Sequence, residues 1–277
     1  MDEYAFDPTW IHARQRLRGL EQLLDAGTIR RLEALGVAEG WHCLEVGAGG
    51  GSIAEWLCQR VGRAGYVMAT DLDTRFLGAL TMPNLDTRRH DIASDDLPER
   101  RFDLVLSRLV LEHIQEREKA LRRMLSALKP GGWLVCEDTD NVTVALVSPT
   151  DAASSGLFMK VEQGKDRVMA ARGHVYCGPH LYGFLCALGL TDVHVEGRVP
   201  LLHSGTAATH WKRLSVEQLR KDIVHAQLAT EAEIEAYFAL LDSPTFVAWG
   251  FTVMTAWGRR PSEHGPALLS KSDAGNG

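Results

Sequence analysis

The sequence has no surplus of basic residues. Its 277 residues include 30 Lys and Arg against 36 Asp and Glu, which gives a formal net charge of −6. Because proteins hold polyanions by neutralising phosphates with Lys and Arg, this balance excludes nucleic acid from the expected partners. No apolar run approaches the roughly 18–20 residues that a membrane span needs, so no membrane association is expected. The stretch Met1–Tyr4 also lacks the apolar region of a signal peptide.

Cysteine is scarce, and no pair has metal-binding spacing. The chain has five cysteines, none in a CxxC pair, and its 11 histidines include no HExxH. A disulfide framework and a structural zinc site are therefore excluded, and the sequence predicts a reduced, cytoplasmic, metal-free protein. With 45% hydrophobic and 24% charged residues the composition is that of a globular protein. Whether the chain forms a homo-oligomer is left open.

Residues up to 138 divide into a helical stretch and an alternating stretch. Residues 1–40 carry apolar positions at helical spacing. From residue 41, short β-rich runs alternate with helical ones, which favours βαβ units and a parallel sheet. Ser52 and Glu55 have the spacing of a capping box at a helix start. The predicted strands are Trp41–Val46, Gly65–Thr70, Leu85–His90, Phe102–Leu106 and Trp133–Cys136, the last after a helix that Lys129–Gly132 ends.

Beyond residue 150, helical patterns dominate. Helices are expected over 151–172, 179–188 and, as a pair, 206–241, where Thr230 and Glu233 form a second capping box. The polar, glycine-rich residues 261–277 are expected to be a disordered tail. The predicted division is N-terminal helices at 1–40, a main domain at 41–260 with helical insertions at about 151–189 and 200–244, and the tail.

A glycine cluster follows the first predicted strand. Glu45-Val46-Gly47-Ala48-Gly49-Gly50-Gly51 lies between that strand and the helix expected from Ser52. Glycine lets the backbone turn tightly and approach a ligand, and a helix N-terminus offers unpaired N–H groups. This arrangement favours a nucleotide or nucleoside pocket at the carboxyl end of the strand. The dinucleotide fingerprint GxGxxG would need glycine where Ser52 stands, whereas ExGxGxG fits fully.

Two carboxylates follow the next two predicted strands. Asp71 lies where the second strand ends and could accept hydrogen bonds from both hydroxyls of a ribose. Asp91, after the third strand, could accept the exocyclic amine of adenine, with Ile92 against the ring. Each carboxylate alone is equally typical of a turn or a solvated loop. Beside the glycine cluster, ligand binding becomes the favoured interpretation of Asp71.

Five segments resemble class I S-adenosylmethionine-dependent methyltransferases, and most closely those acting on small molecules in bacterial secondary metabolism. They are LEVGAGGGSIAEWL, VMATDLD, RRHDI, FDLVLSRLVLEHI and LKPGGWLVCED, within residues 41–138. The resemblance implies a Rossmann-like, doubly wound α/β fold with a seven-stranded, mostly parallel sheet whose last two strands run antiparallel. Val193–Val199 and Thr245–Gly258 are the candidates for these two strands. The family's connection between them is short, whereas this chain has two helices over 200–244.

The resemblance also implies which residues bind the methionine part of S-adenosylmethionine. The backbones of Gly47 and Gly49 would pass beside it, and Glu45 would orient the glycine loop or the cofactor's ammonium group. Ser107, at the end of the fourth strand, would offer its carbonyl oxygen to the same ammonium.

Four further residues are implied at the nucleoside part of the cofactor. Asp71 would hold the ribose hydroxyls, and Leu72 would pack on the adenine. Asp91 and Ile92 would read the edge of the adenine ring.

The segment after the fourth strand argues against two other chemistries. Enzymes that methylate exocyclic amines of nucleic-acid bases carry (Asn/Asp)-Pro-Pro-aromatic there, but this chain has Ser107-Arg108-Leu109-Val110. Magnesium-dependent catechol-type enzymes need an aspartate at the position of Ser107, and Asp140-Asn141 lies slightly late for the second half of their site. No metal site is therefore predicted.

The acceptor side has fewer signals. His113, just past the fourth strand, is the candidate catalytic residue, although a histidine bonded within its own helix fits the pattern equally well. Asp138 closes the fifth strand, where substrates of the resembled family often lie, and could equally be a cap. Arg16 could reach the cofactor carboxylate but fits a solvated face better. Residues that could line a lid or an apolar pocket, or be solvated or core instead, are His174, Tyr176, His180, Trp211, Tyr237, Phe238 and Trp249.

The sequence thus predicts an enzyme that moves the sulfonium methyl group to oxygen, nitrogen or carbon of a small organic acceptor by in-line displacement. Since the cofactor is already activated, the protein's main tasks are alignment and exclusion of water. Two alternatives remain: a protein that binds the cofactor without methyl transfer, as a cyclase or regulator does, and an NAD-dependent oxidoreductase.

Overall fold

Strands and helices alternate through residue 140, and helices dominate the rest of the chain. The computed structural model describes residues 6–7 and 9–262. The α-helices in these ranges are α1 (Ala13–Ala34), α2 (Ser52–Val61), α3 (Arg117–Ala127), α4 (Ala152–Ala171), α5 (Leu181–Ala187), α6 (Ala207–His225) and α7 (Glu231–Asp242). The strands are β1 (His42–Val46), β2 (Tyr66–Asp71), β3 (Leu85–Arg89), β4 (Phe102–Arg108), β5 (Leu128–Asp140), β6 (Ala145–Ser148), β7 (Thr191–Arg198), β8 (Leu201–His203), β9 (Val247–Trp249) and β10 (Thr252–Arg259).

The main sheet has seven strands in the order β3-β2-β1-β4-β5-β10-β7. The first five strands in this order pair in parallel, and β10 is antiparallel to both of its neighbours. This confirms the predicted mostly parallel sheet. The last two strands are antiparallel to each other, but only β10 is reversed relative to the rest. The strand order reverses between β1 and β4, which places a ligand crevice at their carboxyl ends.

The two predicted capping boxes have different outcomes. Helix α7 has its box, because Thr230 and Glu233 exchange side-chain and backbone hydrogen bonds. Helix α2 begins at Ser52 as predicted, but its N-cap is Gly51 and no side chain caps it. The Ser52 hydroxyl donates instead to Asp25 Oδ1 of α1 at 3.1 Å. The box at Ser52 was therefore wrong, since a contact with a distant helix takes up its hydroxyl.

The β-rich segments differ most from expectation near β5 and at the end of the chain. Lys129–Gly132 was predicted to precede the fifth strand, but β5 already begins at Leu128, paired with Phe102. The stretch Thr245–Gly258 forms two strands in different sheets. One of them, β9, lies between β6 and β8 in a small antiparallel sheet that the sequence did not predict.

Helices α1, α4, α6 and α7 build a layer beside the main sheet. A Cβ placed on Gly19 of α1 would lie 2.8 Å from Trp211 Cβ and from the Ala207 carbonyl oxygen of α6, so the two helices pack backbone to backbone. Within the residues that the structure describes, no helix is both long and apolar enough to cross a membrane. The tail predicted at 261–277 lies outside the described residues from 263 onward.

Candidate active site

A cavity of about 630 Å³ lies at the carboxyl ends of β1 and β4. The turn after β1, the end of β2, the loop after β3 and the start of α1 all contribute to its walls. Six of the residues predicted to bind the cofactor line it: Gly47, Gly49, Asp71, Leu72, Asp91 and Ile92. The topology thus brings together three separate sequence motifs, each at the end of its own strand.

The glycine loop is held in a conformation that requires glycine. Gly47 has φ +71°, and a Cβ there would lie 2.3 Å from Val110 Cγ2. The N–H groups of Gly47 and Ala48 both donate to the Thr70 carbonyl oxygen, at 2.8 and 2.9 Å. This ties the loop to the end of β2 and leaves its outer face toward the cavity.

Asp71 supports the glycine loop as well as facing the cavity. Its Oδ2 accepts from the Gly49 N–H at 2.8 Å, and its Oδ1 accepts from the Asp73 N–H at 3.0 Å. Burial raises the pKa of Asp71, and these backbone hydrogen bonds oppose the rise. Because a carboxylate offers about four acceptor sites, both oxygens can still accept from ribose hydroxyls. The sequence predicted the ribose contacts, but not the hydrogen bonds that Asp71 accepts from the backbone.

Three residues that were predicted to contact adenine line the larger cavity: Leu72, Asp91 and Ile92. Leu72 is 54% exposed, so its apolar side chain has surface available for packing against a ring. Asp91 Oδ1 accepts from the Ala93 N–H at 2.9 Å, which fixes the carboxylate beside buried Ile92.

Glu45 and Ser107 are buried behind the cavity and do not line it. Burial raises the pKa of Glu45 to about 8, while the Arg108 charge pulls it the other way. Ser107 lies inside the sheet, where it pairs with Val46 of β1. Their predicted contacts with the methionine part of the cofactor stay predictions.

A second cavity, of about 80 Å³, adjoins the first. Of the acceptor-side candidates, four line it: His113, His174, Tyr176 and Trp211. Those that do not line it are Asp138, His180, Tyr237, Phe238 and Trp249. The two cavities share six lining residues: Phe6, Arg16, Leu17, Leu20, Leu109 and His113. They therefore adjoin each other, and His113 lies at the boundary between them.

Two histidines and a carboxylate meet on the wall of the smaller cavity. Glu112 Oε1 lies 3.3 Å from His174 Nε2 and 3.8 Å from His113 Nε2. Glu112 Oε2 accepts from the Thr139 hydroxyl at 2.7 Å. One donor atom from each of these three residues lies within 4.8 Å of the others, so the set has the composition of a metal site as well as of a proton-sharing cluster.

The charge states around this cluster follow from burial and neighbouring groups. Burial lowers the pKa of His113 to about 4, and the positive charges of Arg16 and Arg117 lower it further against the pull of Glu112. Burial and repulsion from Glu112 raise the pKa of Asp138 well above its ordinary value. His113 is therefore uncharged near neutral pH.

Sequence reasoning missed three residues of this site. Glu112 is next to His113 in the sequence, but its burial depends on partners from other elements. Lys165 of α4 is buried, but no pattern in the neighbouring sequence predicts this. Leu109 has φ +56°, unusual for a leucine, directly after β4 on the wall of both cavities. Arg16 was expected on a solvated face, but it is buried and lines both cavities.

Comparison with known proteins agrees with the geometry. Residues 44–136 match the methyltransferase domain family. The chain is 30% identical over 136 residues to the ubiquinone/menaquinone biosynthesis C-methyltransferase UbiE of Pseudomonas fluorescens (strain Pf0-1), across 46% of this chain and 53% of that protein. It thus spans about half the length of the curated relatives that it matches.

Solved structures share the fold. One is the phosphoethanolamine N-methyltransferase 2 of Haemonchus contortus in complex with phosphomonomethylethanolamine and S-adenosylhomocysteine, with a TM-score of 0.51 and 17% identity over 90% of this chain and 52% of that chain. Another is the YcgJ protein of Bacillus subtilis, with a TM-score of 0.52 and 14% identity over 83% and 96% of the two chains.

The sheet order, the glycine-loop cavity and the match of residues 44–136 to the methyltransferase domain family agree with one another. Residues 44–136 are thus similar to S-adenosylmethionine-dependent methyltransferases. This confirms the predicted fold, and it supports the predicted enzyme class and cofactor over the nicotinamide dinucleotide alternative.

Proposed function

We propose that the protein transfers the methyl group of S-adenosylmethionine to oxygen, nitrogen or carbon of a small organic acceptor in the smaller cavity. The observation that carries this proposal is that the two cavities adjoin and share six lining residues. A cofactor on the glycine loop and an acceptor beside His113 and His174 would face each other across this boundary. The proposal also takes the protein to be cytoplasmic, as its cysteine usage suggests.

Alignment supplies the larger part of the catalysis in this proposal. Methyl transfer needs the acceptor atom, the methyl carbon and the sulfur in line, and positioning of this kind is worth roughly 7–11 kcal/mol. Helices α1 and α6 pack closely at Gly19, and both contribute to the wall of the smaller cavity. Arg16 from α1 and Trp211 from α6 contribute to its wall, so the same helices hold the acceptor and exclude water.

His113 positions the acceptor and assists its deprotonation in the proposed reaction. With its pKa lowered to about 4, the uncharged imidazole can accept a hydrogen bond but binds a proton weakly. A well-matched general base adds a factor of about 10²–10⁴, and a base this weak is expected to give less. Glu112, 3.8 Å from the ring, stabilises the imidazolium if one forms.

The acceptor belongs to one of two proposed groups. The sequence resemblance favours a product of bacterial secondary metabolism. The curated relatives are named as C-methyltransferases of ubiquinone and menaquinone biosynthesis, which adds carbon methylation of a quinone precursor as a second candidate. The apolar surface of the smaller cavity, supplied by Leu20, Met169 and Phe251, suits the flat body of either kind of acceptor.

The test is product formation from methyl-labelled S-adenosylmethionine and a panel of hydroxylated aromatic and enolic acceptors. Transfer of label to one acceptor, with equal release of S-adenosylhomocysteine, supports the proposal and identifies the methylated atom by fragmentation. Binding of the cofactor without label transfer to any acceptor supports a cyclase-like or regulatory protein instead.

A further inference from the structure

The lining of the smaller cavity combines apolar side chains with many hydrogen-bond donors. Leu20 of α1, Met169 of α4 and Phe251 supply apolar surface. Two basic side chains and two histidines also line the cavity, together with a single carboxylate, Glu112. That carboxylate is already engaged by Thr139, His174 and His113. A ligand here therefore meets mostly donors, which favours an acceptor oxygen over an acceptor ammonium.

Arg16 is the first of the two basic residues, and it is 5% exposed. Its guanidinium carbon lies 4.0 Å from the centre of the Phe6 ring, so the cation rests over an aromatic face. Arg16 lines both cavities and its charge lowers the pKa of His113. Its positive field thus acts where the acceptor and the methyl group would meet.

Lys165 is the second basic residue, 6% exposed and on the wall of the smaller cavity alone. Its Nζ lies 3.1 Å from Glu162 Oε2 and 3.1 Å from Asp166 Oδ1. Burial lowers its pKa, but these two carboxylates outweigh burial and raise the pKa well above the ordinary value. An ammonium has three N–H donors, so two ion pairs leave one donor for a ligand.

The buried carboxylate behind Lys165 has other partners. Glu162 also pairs with Lys212 Nζ at 2.8 Å and accepts from the Tyr237 hydroxyl. Keeping these charged groups out of water is costly unless they are paired. The network holds Lys165 charged and fixed at the cavity wall.

We infer that Arg16 and Lys165 bind the acceptor as an oxyanion, so that the acceptor is a phenol or enol on a flat apolar body that loses its proton before transfer. This inference rests on the proposed function and names its substrate class. The anion's oxygen, or the ring carbon it activates, forms the new bond to the methyl carbon while the carbon–sulfur bond breaks. The electron pair of that bond stays on sulfur, giving S-adenosylhomocysteine. The phenol or enol proton has already gone to solvent. After carbon methylation the ring carbon also loses its proton, and the oxygen takes one back from solvent.

The experiment uses 4-nitrophenol, whose ionised form absorbs visible light and whose neutral form does not. The probe is titrated with pH in the presence of full-length protein saturated with S-adenosylhomocysteine. Calorimetry first establishes that S-adenosylhomocysteine binds, which tests the proposed function separately. We expect the protein-bound probe to ionise at a pH at least about one unit below that of the free probe, a tenfold larger ionisation constant.

The variants are Arg16→Gln and the double variant Lys165→Met with Asp166→Asn. The double variant removes one positive and one negative charge. Each variant should weaken binding of the ionised probe by about tenfold or more, since a hydrogen bond to a charged group is worth roughly 1.5–3 kcal/mol. Arg18→Gln, on the exposed face of α1, is the matched control and should leave the titration unchanged.

Three results would overturn the inference while cofactor binding stays intact. One is a bound probe that ionises at the same pH as the free probe or higher. Another is folded Arg16→Gln and double-variant proteins that both bind the ionised probe as tightly as the wild type. The third is no binding of the probe by the wild type across the pH range. Each leaves methyl transfer to an uncharged acceptor open to the labelled-cofactor assay.

Discussion

At the scale of single residues, Asp71 both supports the glycine loop and lines the cavity proposed for the cofactor. It accepts from the backbone N–H groups of Gly49 and Asp73, so it shapes the loop in addition to its proposed ribose contacts. A sequence motif shows the carboxylate but not this second use. Substitution of Asp71 is therefore expected to lower the affinity for the cofactor in two ways, by removing the proposed ribose contacts and by disturbing the glycine loop.

We expect Asp71→Ala to lower the affinity for S-adenosylhomocysteine by at least tenfold. The physical reason is the loss of charge-assisted hydrogen bonds, each worth roughly 1.5–3 kcal/mol. Calorimetry measures the affinity, and circular dichroism checks that the fold is kept. Asp86→Asn is the control, since the Asp86 side chain on β3 accepts from Tyr66 and Arg88 and lines neither cavity. Equal affinity of the Asp71→Ala variant and the wild type would remove Asp71 from the binding site.

His113→Ala should leave measurable turnover. His113 is uncharged above about pH 5, because burial and nearby positive charge lower its pKa to about 4. The wild-type rate should therefore show no inflection near the ordinary histidine pKa of about 6.5 that His113 would cause. The loss in the variant should shrink as pH rises toward the acceptor's own pKa.

The measurement is the pH–rate profile of His113→Ala beside that of His180→Ala, an exposed histidine that does not line either cavity. If His113→Ala is inactive at every pH while it still binds cofactor and acceptor, base catalysis outweighs alignment. If it matches the wild type, the histidine is structural.

We expect the enzyme to keep full activity after removal of metal ions with EDTA. Glu112, His113 and His174 bring donor atoms within 4.8 Å of one another. However, the charges of Arg16 and Arg117 that disfavour a proton on His113 also disfavour a divalent cation there. Activity that EDTA abolishes and Zn²⁺, Mn²⁺ or Mg²⁺ restores would contradict the metal-free prediction.

At the scale of elements, the sequence predicted β1 to β4 and their helices within a few residues. Glycines between elements and short apolar runs are recognisable from the local sequence alone, and a motif residue stands at the end of each of these strands. The burial of Arg16 and Glu112 was not predictable in this way. It depends on partners brought from distant elements, such as Thr139 beside Glu112. The strands β6, β8 and β9 are also too short to show the alternation of apolar and polar residues that predicts a strand.

The contact between α1 and α6 gives a test at this scale. Gly19→Ala would place a Cβ 2.8 Å from atoms of Ala207 and Trp211, so the helices must move apart. Overpacking of this kind costs about 1–3 kcal/mol, and the acceptor wall would shift with the helices. We expect a lower Tm and weaker acceptor binding, with affinity for S-adenosylhomocysteine changed less.

Gly156→Ala is the matched control for Gly19→Ala. It also lies within a helix, α4, but a Cβ there meets no atom within 4 Å. Since alanine favours helix more than glycine by about 1 kcal/mol, its Tm should stay equal or rise. A Gly19→Ala variant with an unchanged or raised Tm would show that α1 and α6 are not closely packed.

At the scale of the whole molecule, the carboxyl end of the parallel sheet forms much of the proposed cofactor site, and helices α1, α4 and α6 contribute to the proposed acceptor site. Residues 44–136, which match the methyltransferase domain family, also include Leu109, Glu112 and His113 of the proposed acceptor site. Most of the other residues of that site lie outside the matched region, which is why the sequence motifs indicate the cofactor more clearly than the acceptor.

The most direct test of this account is mass spectrometry of a reaction with S-adenosylmethionine, the wild-type protein and a phenolic or enolic acceptor. We predict that methylated acceptor and S-adenosylhomocysteine form in equal amounts, at a rate that depends on protein concentration. Tight binding of S-adenosylmethionine with no methylated product from any acceptor in the panel would contradict the account.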